Sequence, residues 1–189
     1  MKKCILFLLF FLGIASSAKA QVQPTDTDGD GYINISTLDH LRWVSENSSS
    51  WENNFELDNN INAAATANWN NGAGFSPIGN KNIKYTGKFD GHGFAIDSLY
   101  INRPDSNYIA LFGATYGSEI ANIGIRNSDF TGNNYVAGLV GKNYSTSINL
   151  CHSAVNITAE DYAGGLVGYN DTLSIVSMCY SIGNISGSW

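Results

Sequence analysis

The sequence has little proline and few basic residues, and the shortage of basic residues limits the partners that the chain can bind. Of its 189 residues, 3 are Pro and 20 are Gly. Only 10 are Lys or Arg against 16 Asp or Glu, and the stretch from Asn143 to Trp189 has no Lys or Arg. Nucleic acids and anionic membranes reward clustered Lys and Arg, so we expect neither as a partner. No Cys-x-x-Cys or His-Glu-x-x-His pattern occurs, which argues against a zinc site.

The first twenty residues have the parts of a bacterial signal peptide. Two lysines precede an apolar run from Ile5 to Ile14, which is too short to span the ~30 Å of bilayer hydrocarbon. Ala18 and Ala20 supply the small residues that precede a cleavage site, and Gln21 is the expected mature N-terminus. A retained N-terminal anchor is the alternative. No later stretch has transmembrane length, so we expect a secreted or cell-surface bacterial protein.

The strongest signal in the sequence is an internal repeat of 27 to 28 residues. The segment Tyr135–Gly141 (YVAGLVG) recurs as Tyr162–Gly168 (YAGGLVG), and a weaker copy begins at Tyr108. Three further columns keep the same interval: Ile120, Ile148 and Val176; Ile123, Cys151 and Cys179; and Phe130, Ile157 and Ile185. Such a period indicates stacked units, none of which buries its apolar face alone.

The type of unit follows from the pattern within each repeat. Three short apolar or alternating segments are separated by Gly, Asn, Ser or Asp, and none has sustained helical periodicity. Three short strands make one coil of a solenoid, in which like residues of successive coils align about 4.8 Å apart. Glycine inside every unit argues against helical repeats, because each would cost a helix ~1 kcal/mol. The sequence therefore predicts an all-β fold, a right-handed parallel β-helix.

The part of the chain before the repeats divides into two segments. Residues 21–35 are an acidic linker or a calcium-loop-like segment, and residues 36–84 are predicted to form an N-terminal cap. The cap contains one short helix at 36–46 and a first strand near 54–61, and it would protect the exposed end of the solenoid. Residues 85–189 hold the repeats. We expect them to be truncated, with a missing C-terminal part of the same polypeptide, because the last repeat stops before the next Gly-Leu-Val-Gly segment.

Two segments of the last repeat resemble a known family. Gly164–Asn170 (GGLVGYN) resembles the GLUG motif of secreted or surface bacterial repeat proteins, and Met178–Gly187 is similar to the stretch between consecutive motifs. The resemblance covers residues 25–189 and implies a β-helix on an adhesin-like surface protein. GLUG motifs also accompany IgA-peptidase-type protease domains, so the resemblance implies a scaffold and no particular activity. The first copy departs from the motif, with Ala110 and Phe112 where Gly and Val are usual.

The segment DTDGDGYIN at residues 26–34 is the best candidate for a metal site. It resembles the calcium loops of EF-hand, dockerin and thrombospondin type 3 repeats, with oxygens at loop positions 1, 3, 5, 7 and 9 and a glycine at position 6. It departs at position 12, where Thr37 replaces the usual bidentate Glu. A weak Ca²⁺ site and a flexible acidic linker therefore stay open as alternatives. The candidate ligands are Asp26, Asp28, Asp30, Tyr32 and Asn34.

Residues that could catalyse a reaction are scattered. No Gly-x-Ser-x-Gly elbow accompanies the three histidines, His40, His92 and His152. Asp90 with Asp97, or Glu160 with Asp161, could line one face as a polysaccharide lyase or glycosidase requires, but the repeats contain almost no base. We therefore expect no enzyme, no catalytic residue and no cofactor apart from the candidate Ca²⁺.

Tyrosines and cysteines recur at the repeat interval. Tyr135 and Tyr162 predict a ladder of stacked rings, which could hold sugar rings if it faces outward and would be core if it faces inward. Cys151 and Cys179 follow Ile123 in one column, so they are predicted to be neighbouring rungs of a buried ladder. Two packed thiols are favoured over a disulfide there.

The expected function combines these features. The chain is predicted to be an exported, non-catalytic β-helix segment of an adhesin-like surface protein that binds or displays toward glycans or cell-surface components. A carbohydrate-active β-helix and an accessory region of a secreted protease are the alternatives.

Overall fold

The computed structural model describes residues 21–187, which wind into a parallel β-solenoid of about four turns. The predicted signal peptide at residues 1–20 lies outside the described residues. Within 21–187 no helix is long and apolar enough to cross a membrane. The predicted all-β fold class, with parallel strands and one short helix near the N-terminus, is confirmed.

The single α-helix of the described residues, α1 (Leu38–Glu46), lies beside the first strand of the solenoid. Thr37 caps it, because its side chain accepts the His40 N–H at 3.1 Å. Leu41 and Val44 are fully buried, so one face of the helix closes the adjacent coil. Three short 3₁₀ helices follow later, at Ser48–Ser50, Ala64–Asn68 and Asn70–Gly72.

The first sheet has six parallel strands, which are stacked in chain order along the solenoid. Its columns are apolar on the inner face, where Phe89, Ile120, Ile148 and Val176 are in register. The strands, in spatial order, are β1 (Ile33–Ile35), β2 (Phe55–Leu57), β4 (Lys88–Asp90), β8 (Glu119–Ala121), β12 (Ser147–Asn149) and β16 (Ile175–Ser177).

The second sheet is built the same way on another side of the solenoid. Its main strands are β3 (Ile61–Asn62), β5 (Ala95–Asp97), β9 (Gly124–Thr131), β13 (His152–Ala159) and β17 (Tyr180–Ile182). Two shorter strands pair with the second halves of β9 and β13, namely β6 (Tyr100–Asn102) and β18 (Ile185–Gly187). Phe130, Ile157 and Ile185 are in register, as the repeat predicts.

Two smaller sheets complete the coils and contain the recurring Gly-Leu-Val-Gly segments. The third sheet has β7 (Phe112–Tyr116), β11 (Val140–Tyr144) and β15 (Val167–Asn170). The fourth has β10 (Asn134–Ala137) and β14 (Asp161–Gly164). Val140 faces Val167 across the ladder, and Val136 faces Ala163, so the 27-residue offset read from the sequence is the structural register.

The first coils differ from the sequence-based expectation in two respects. β1 pairs with β2 and so extends the first sheet into residues 21–35, for which the sequence predicts an acidic linker or a calcium-loop-like segment. The strand expected near residues 54–61 is two strands, β2 and β3, on different sheets. A corner separates them, where Asn60 Oδ1 accepts the Ala95 N–H at 2.8 Å. These strands are only two or three residues long, which is too short to show the alternation that identifies a strand in a sequence.

Candidate functional site

The acidic loop ahead of β1 brings three carboxylates together. One oxygen from each of Asp26, Asp28 and Asp30 lies within 4.8 Å of the others, and all three residues are exposed. The Asp26 carboxylate accepts the backbone N–H groups of Gly29 at 2.6 Å and Gly31 at 3.0 Å. These two hydrogen bonds lower the pKa of Asp26, which favours its ionised form. An exposed set of oxygen ligands suits Ca²⁺.

Asn34 anchors this loop to the solenoid. It is buried in β1, and its amide oxygen accepts the Thr27 N–H at 2.7 Å and the Thr27 hydroxyl at 2.9 Å. Its amide nitrogen donates to Glu56 at 2.6 Å and Asp58 at 2.9 Å. The N–H of Tyr32, the fourth candidate, donates to Asp30 Oδ1 at 2.8 Å. The structure therefore brings the three aspartates together and turns the amide oxygen of Asn34 toward Thr27.

Calcium binding at this loop stays a prediction, with a calorimetric test. We expect the mature chain to bind Ca²⁺ with a Kd of about 10⁻⁴–10⁻³ M, because the loop lacks the bidentate Glu of tighter sites. Asp28→Ala removes one of three carboxylates and is expected to abolish the binding heat. Asp105→Ala, an exposed acid far along the chain, is the control that should leave the heat unchanged. Identical heats for the mature chain and Asp28→Ala would reject the site.

A histidine, His92, and a buried glutamate, Glu56, lie next to Asn34. His92 Nε2 is 2.8 Å from Glu56 Oε2, and this hydrogen bond raises the pKa of His92. The N–H of His92 donates to Asp90 Oδ1 at 2.8 Å, and Asn122 donates to the same oxygen at 3.0 Å. His92, Glu56 and Asp90 therefore link neighbouring coils on the outside of the first sheet.

Of the carboxylate pairs weighed for catalysis, Asp90 and Asp97 are not assembled into one site. Asp90 lies in β4 of the first sheet, whereas Asp97 lies in β5 of the second. Arg126 binds Asp97 through two hydrogen bonds of 3.0 and 2.8 Å, so this acid is held by a cation of the next coil. Glu160 and the first residue of β14, Asp161, are both exposed and line one pocket, whose other lining residues include no Lys, Arg or His.

A groove at one corner combines acids and a base that the sequence did not single out. It has a volume of about 440 Å³ and is lined by Glu52, Lys88 and Glu119 together with hydroxyl-bearing side chains such as Ser118. Lys88 and Glu119 form an ion pair of 2.9 Å, and both side chains are more than half exposed. Lys88 lies in β4 and Glu119 in the neighbouring strand β8, where the two residues are paired. Their spacing in the sequence was not recognised as a repeat interval, so this pair was not predicted.

The cysteines and the third histidine lie where the repeat places them. Cys151 is buried, Cys179 packs against the same core, and the Cys151 N–H donates to Cys179 Sγ at 3.4 Å. Both are thiols, and burial raises the pKa of Cys151 to about 12. His152 stacks on Tyr180 with ring centroids 5.2 Å apart. Ile123, Cys151 and Cys179 are in one column as predicted, since each precedes a residue paired in the second sheet, but Cys179 is only partly buried.

A stacked row of tyrosines faces outward from the corner between the third and fourth sheets. Ring centroids are 5.0 Å apart for Tyr108 and Tyr135, and 4.8 Å apart for Tyr135 and Tyr162. Tyr169 meets the last two rings edge-on, at 5.9 and 5.5 Å. Tyr108 and Tyr135 are partly exposed and Tyr162 is 52% exposed, so the ladder predicted from the repeat lies on the surface and is not core. All three stacked residues have positive φ, of 64°, 59° and 53°, which marks the corner of each coil.

Lys142 lies in the middle of these rings. Its Nζ is 4.8 Å from the ring centroids of Tyr135 and Tyr144 and 4.6 Å from that of Tyr169. Each contact is a cation–π interaction. Lys84 approaches the Tyr144 ring as well, at 5.7 Å. We call this surface the tyrosine face, formed by Tyr108, Tyr135, Lys142, Tyr144, Tyr162 and Tyr169.

The sequence contained the signal for Lys142, although its role was missed. Tyr169 follows Lys142 by one repeat of 27 residues, and the two are direct partners in the ladder between β11 and β15. Tyr144 follows Lys142 by two residues on the same strand, so both side chains are on one face.

Comparison with known proteins agrees with this architecture. Residues 160–186 match the family model described as the GLUG motif. The chain carries a GLUG motif. Halomucin of Haloquadratum walsbyi is 32% identical over 122 residues, which is 61% of this chain and 1% of halomucin. A putative Gly-rich membrane protein of Evansella cellulosilytica is 33% identical over 87 residues, which is 42% of this chain and 10% of that protein. No solved structure matches this chain.

The motif coincides with one complete coil of the solenoid. Residues 160–186 contain β14, β15, β16 and β17 and most of β18. The chain spans a tenth or less of the length of either relative, and neither relative is named as an enzyme. The motif and the relatives together fit a segment of a surface protein.

Proposed function

We propose that this chain is an exported segment of an adhesin-like surface protein and that its tyrosine face binds glycans. The outward ladder of Tyr108, Tyr135 and Tyr162 is the observation that carries the proposal. Each tyrosine combines an apolar ring with a hydroxyl, and such side chains are enriched where one partner is both apolar and hydrated, as a sugar ring is. The signal peptide read from the sequence supports export.

The solenoid supports such binding by holding the rings in place. Val136 and Ala163, each one residue beyond a ladder tyrosine, are paired in the β10–β14 ladder, and the ring spacing therefore follows the coil spacing. A pre-ordered ring loses little conformational freedom when a ligand arrives, so even a small contact contributes to affinity. A repetitive face also allows several weak contacts to act together on one polymer.

Binding to oligosaccharides tests this proposal. We expect Tyr162→Ala to weaken binding of the mature chain by about tenfold, which corresponds to the loss of one aromatic contact. Tyr180→Ala is the matched control, because Tyr180 is 60% exposed but lies on the second sheet. Titration calorimetry or glycan-array binding gives the comparison, with thermal melting to verify folding. An equal loss in both variants, or no glycan binding at all, would contradict the proposal.

A carbohydrate-active solenoid is the second candidate, and the groove lined by Glu52, Lys88 and Glu119 is the observation that favours it. Such an enzyme would release reducing or unsaturated ends from a polysaccharide, and Glu119→Gln would stop the release. Glycan binding without any released ends would favour the first proposal.

A further inference from the structure

We propose that the tyrosine face selects glycans that carry carboxylate or sulfate groups, with Lys142 and Lys84 as the residues that recognise the anion. This inference rests on the proposed function, since it names the class of glycan that the same surface takes.

Both lysines lack a carboxylate partner within the described chain. The ion pairs of Lys, Arg and His in residues 21–187 involve Arg42, Lys88, His92 and Arg126. Lys142 is instead surrounded by rings, and Lys84 Nζ donates to the backbone carbonyl of Lys81 at 2.9 Å. Their positive charges are therefore available to a ligand.

The two ammonium groups converge on one ring. Lys142 Nζ is 4.8 Å and Lys84 Nζ is 5.7 Å from the centroid of Tyr144. Both positive charges therefore lie near the same ring, and an anion that approaches this part of the surface is attracted by both. An acidic sugar also meets the neighbouring hydroxyl-bearing rings, so charge and apolar contacts act on the same residue of the glycan.

The two lysines lie on a chain that is negatively charged overall. The whole chain has a formal net charge of −6, and no Lys or Arg follows Lys142. Burial is the largest single influence and would lower the pKa of Lys142, but the interactions with the hydroxyls of Tyr144, Tyr135 and Tyr108 together outweigh it, and the pKa lies above its ordinary value. Lys142 is therefore charged at neutral pH. On a chain with this charge balance, two unpaired lysines on one aromatic surface fit an anionic ligand better than a neutral one.

Matched polysaccharides separate charge from shape. Polygalacturonate and its fully methyl-esterified form share a backbone and differ in carboxylate charge, and dextran sulfate and dextran differ in the same way for sulfate. We expect the mature chain to bind at least one charged form about tenfold more tightly than its uncharged partner. Added salt should reduce that preference, because it screens exposed charges. The response to the two pairs identifies the anion.

Two variants assign the preference to the tyrosine face. Lys142→Met removes the charge and keeps the length of the side chain, so we expect it to lose the preference for the charged form while binding of the uncharged form remains. Arg42→Met also removes one positive charge, on α1 and away from the tyrosine face, and should keep the preference. If Lys142→Met melts at a lower temperature than the unchanged chain, Lys84→Met at the edge of the face serves in its place.

Each outcome decides between the two proposals. Equal binding of charged and uncharged forms, still dependent on Tyr162, overturns the anion preference and leaves glycan binding intact. Equal losses in Lys142→Met and Arg42→Met also overturn it, because they indicate attraction to the overall charge. Absence of binding to every polysaccharide overturns both.

Discussion

Replacing Phe112 by alanine is expected to lower the free energy of unfolding by about 4 kcal/mol. Phe112 is fully buried, and its ring centroid lies 5.0 Å from that of Tyr85 and 5.2 Å from that of Phe89. The surrounding strands are fixed by ladder hydrogen bonds to coils on either side, so they cannot close the cavity that the lost ring leaves. Chemical denaturation of the mature chain measures the loss.

The same position explains why the first repeat departs from the motif. Phe112 occupies the column of Val140 and Val167, and the core beside it contains Tyr85 and Phe89 rather than aliphatic side chains. Phe112→Val, which introduces the residue of the later repeats, should therefore still cost about 2 kcal/mol. Tyr116→Ala, at a site 57% exposed, is the control and should cost less than ~0.5 kcal/mol. If the Phe112→Val variant is as stable as the unchanged chain, the core around this position does not need a side chain as large as phenylalanine.

The sequence predicted the regular coils well because stacking makes equivalent residues repeat. Ile120, Ile148 and Val176 are in one column of the first sheet at the interval read from the sequence. Where the number of residues between paired strands changes, the strands are harder to predict from the sequence. Ile33 pairs with Phe55 after 22 residues, and Phe55 pairs with Phe89 after 34. Without a second copy at a fixed distance, short strands such as β1 and β3 leave no signal of their own.

The candidate site was predicted in part for a related reason. The repeat predicted that Tyr135 and Tyr162 stack, but the direction of the rings depends on the positive φ of these corner residues, and periodicity contains no information about φ. Asp90 and Asp97 are close in the sequence, yet the corner between them places them on different sheets. A repeat interval predicts which residues are in register, and it does not predict the side of the coil on which they lie.

Replacing Gly141 by alanine is expected to cost about 3 kcal/mol, the second large loss of stability. This glycine ends the Gly-Leu-Val-Gly segment, and Gly113 and Gly168 occupy the equivalent places in the neighbouring coils. A Cβ on Gly141 would lie 2.6 Å from the Tyr135 carbonyl oxygen and 2.7 Å from that of Gly113. Both atoms belong to backbone, so no side-chain rotation relieves the clash.

Gly117→Ala is the matched control for this prediction. Gly117 has a φ of +62°, but a Cβ there meets nothing within 4 Å, so the cost is conformational and about 1 kcal/mol. Denaturation curves of the two alanine variants therefore compare a steric clash with backbone strain alone. The clash also acts on the corner that positions Tyr135, so Gly141→Ala should weaken glycan binding as well, whereas Gly117→Ala should not. Equal stability of the two variants would mean that the motif glycine is not required for the close approach of neighbouring coils.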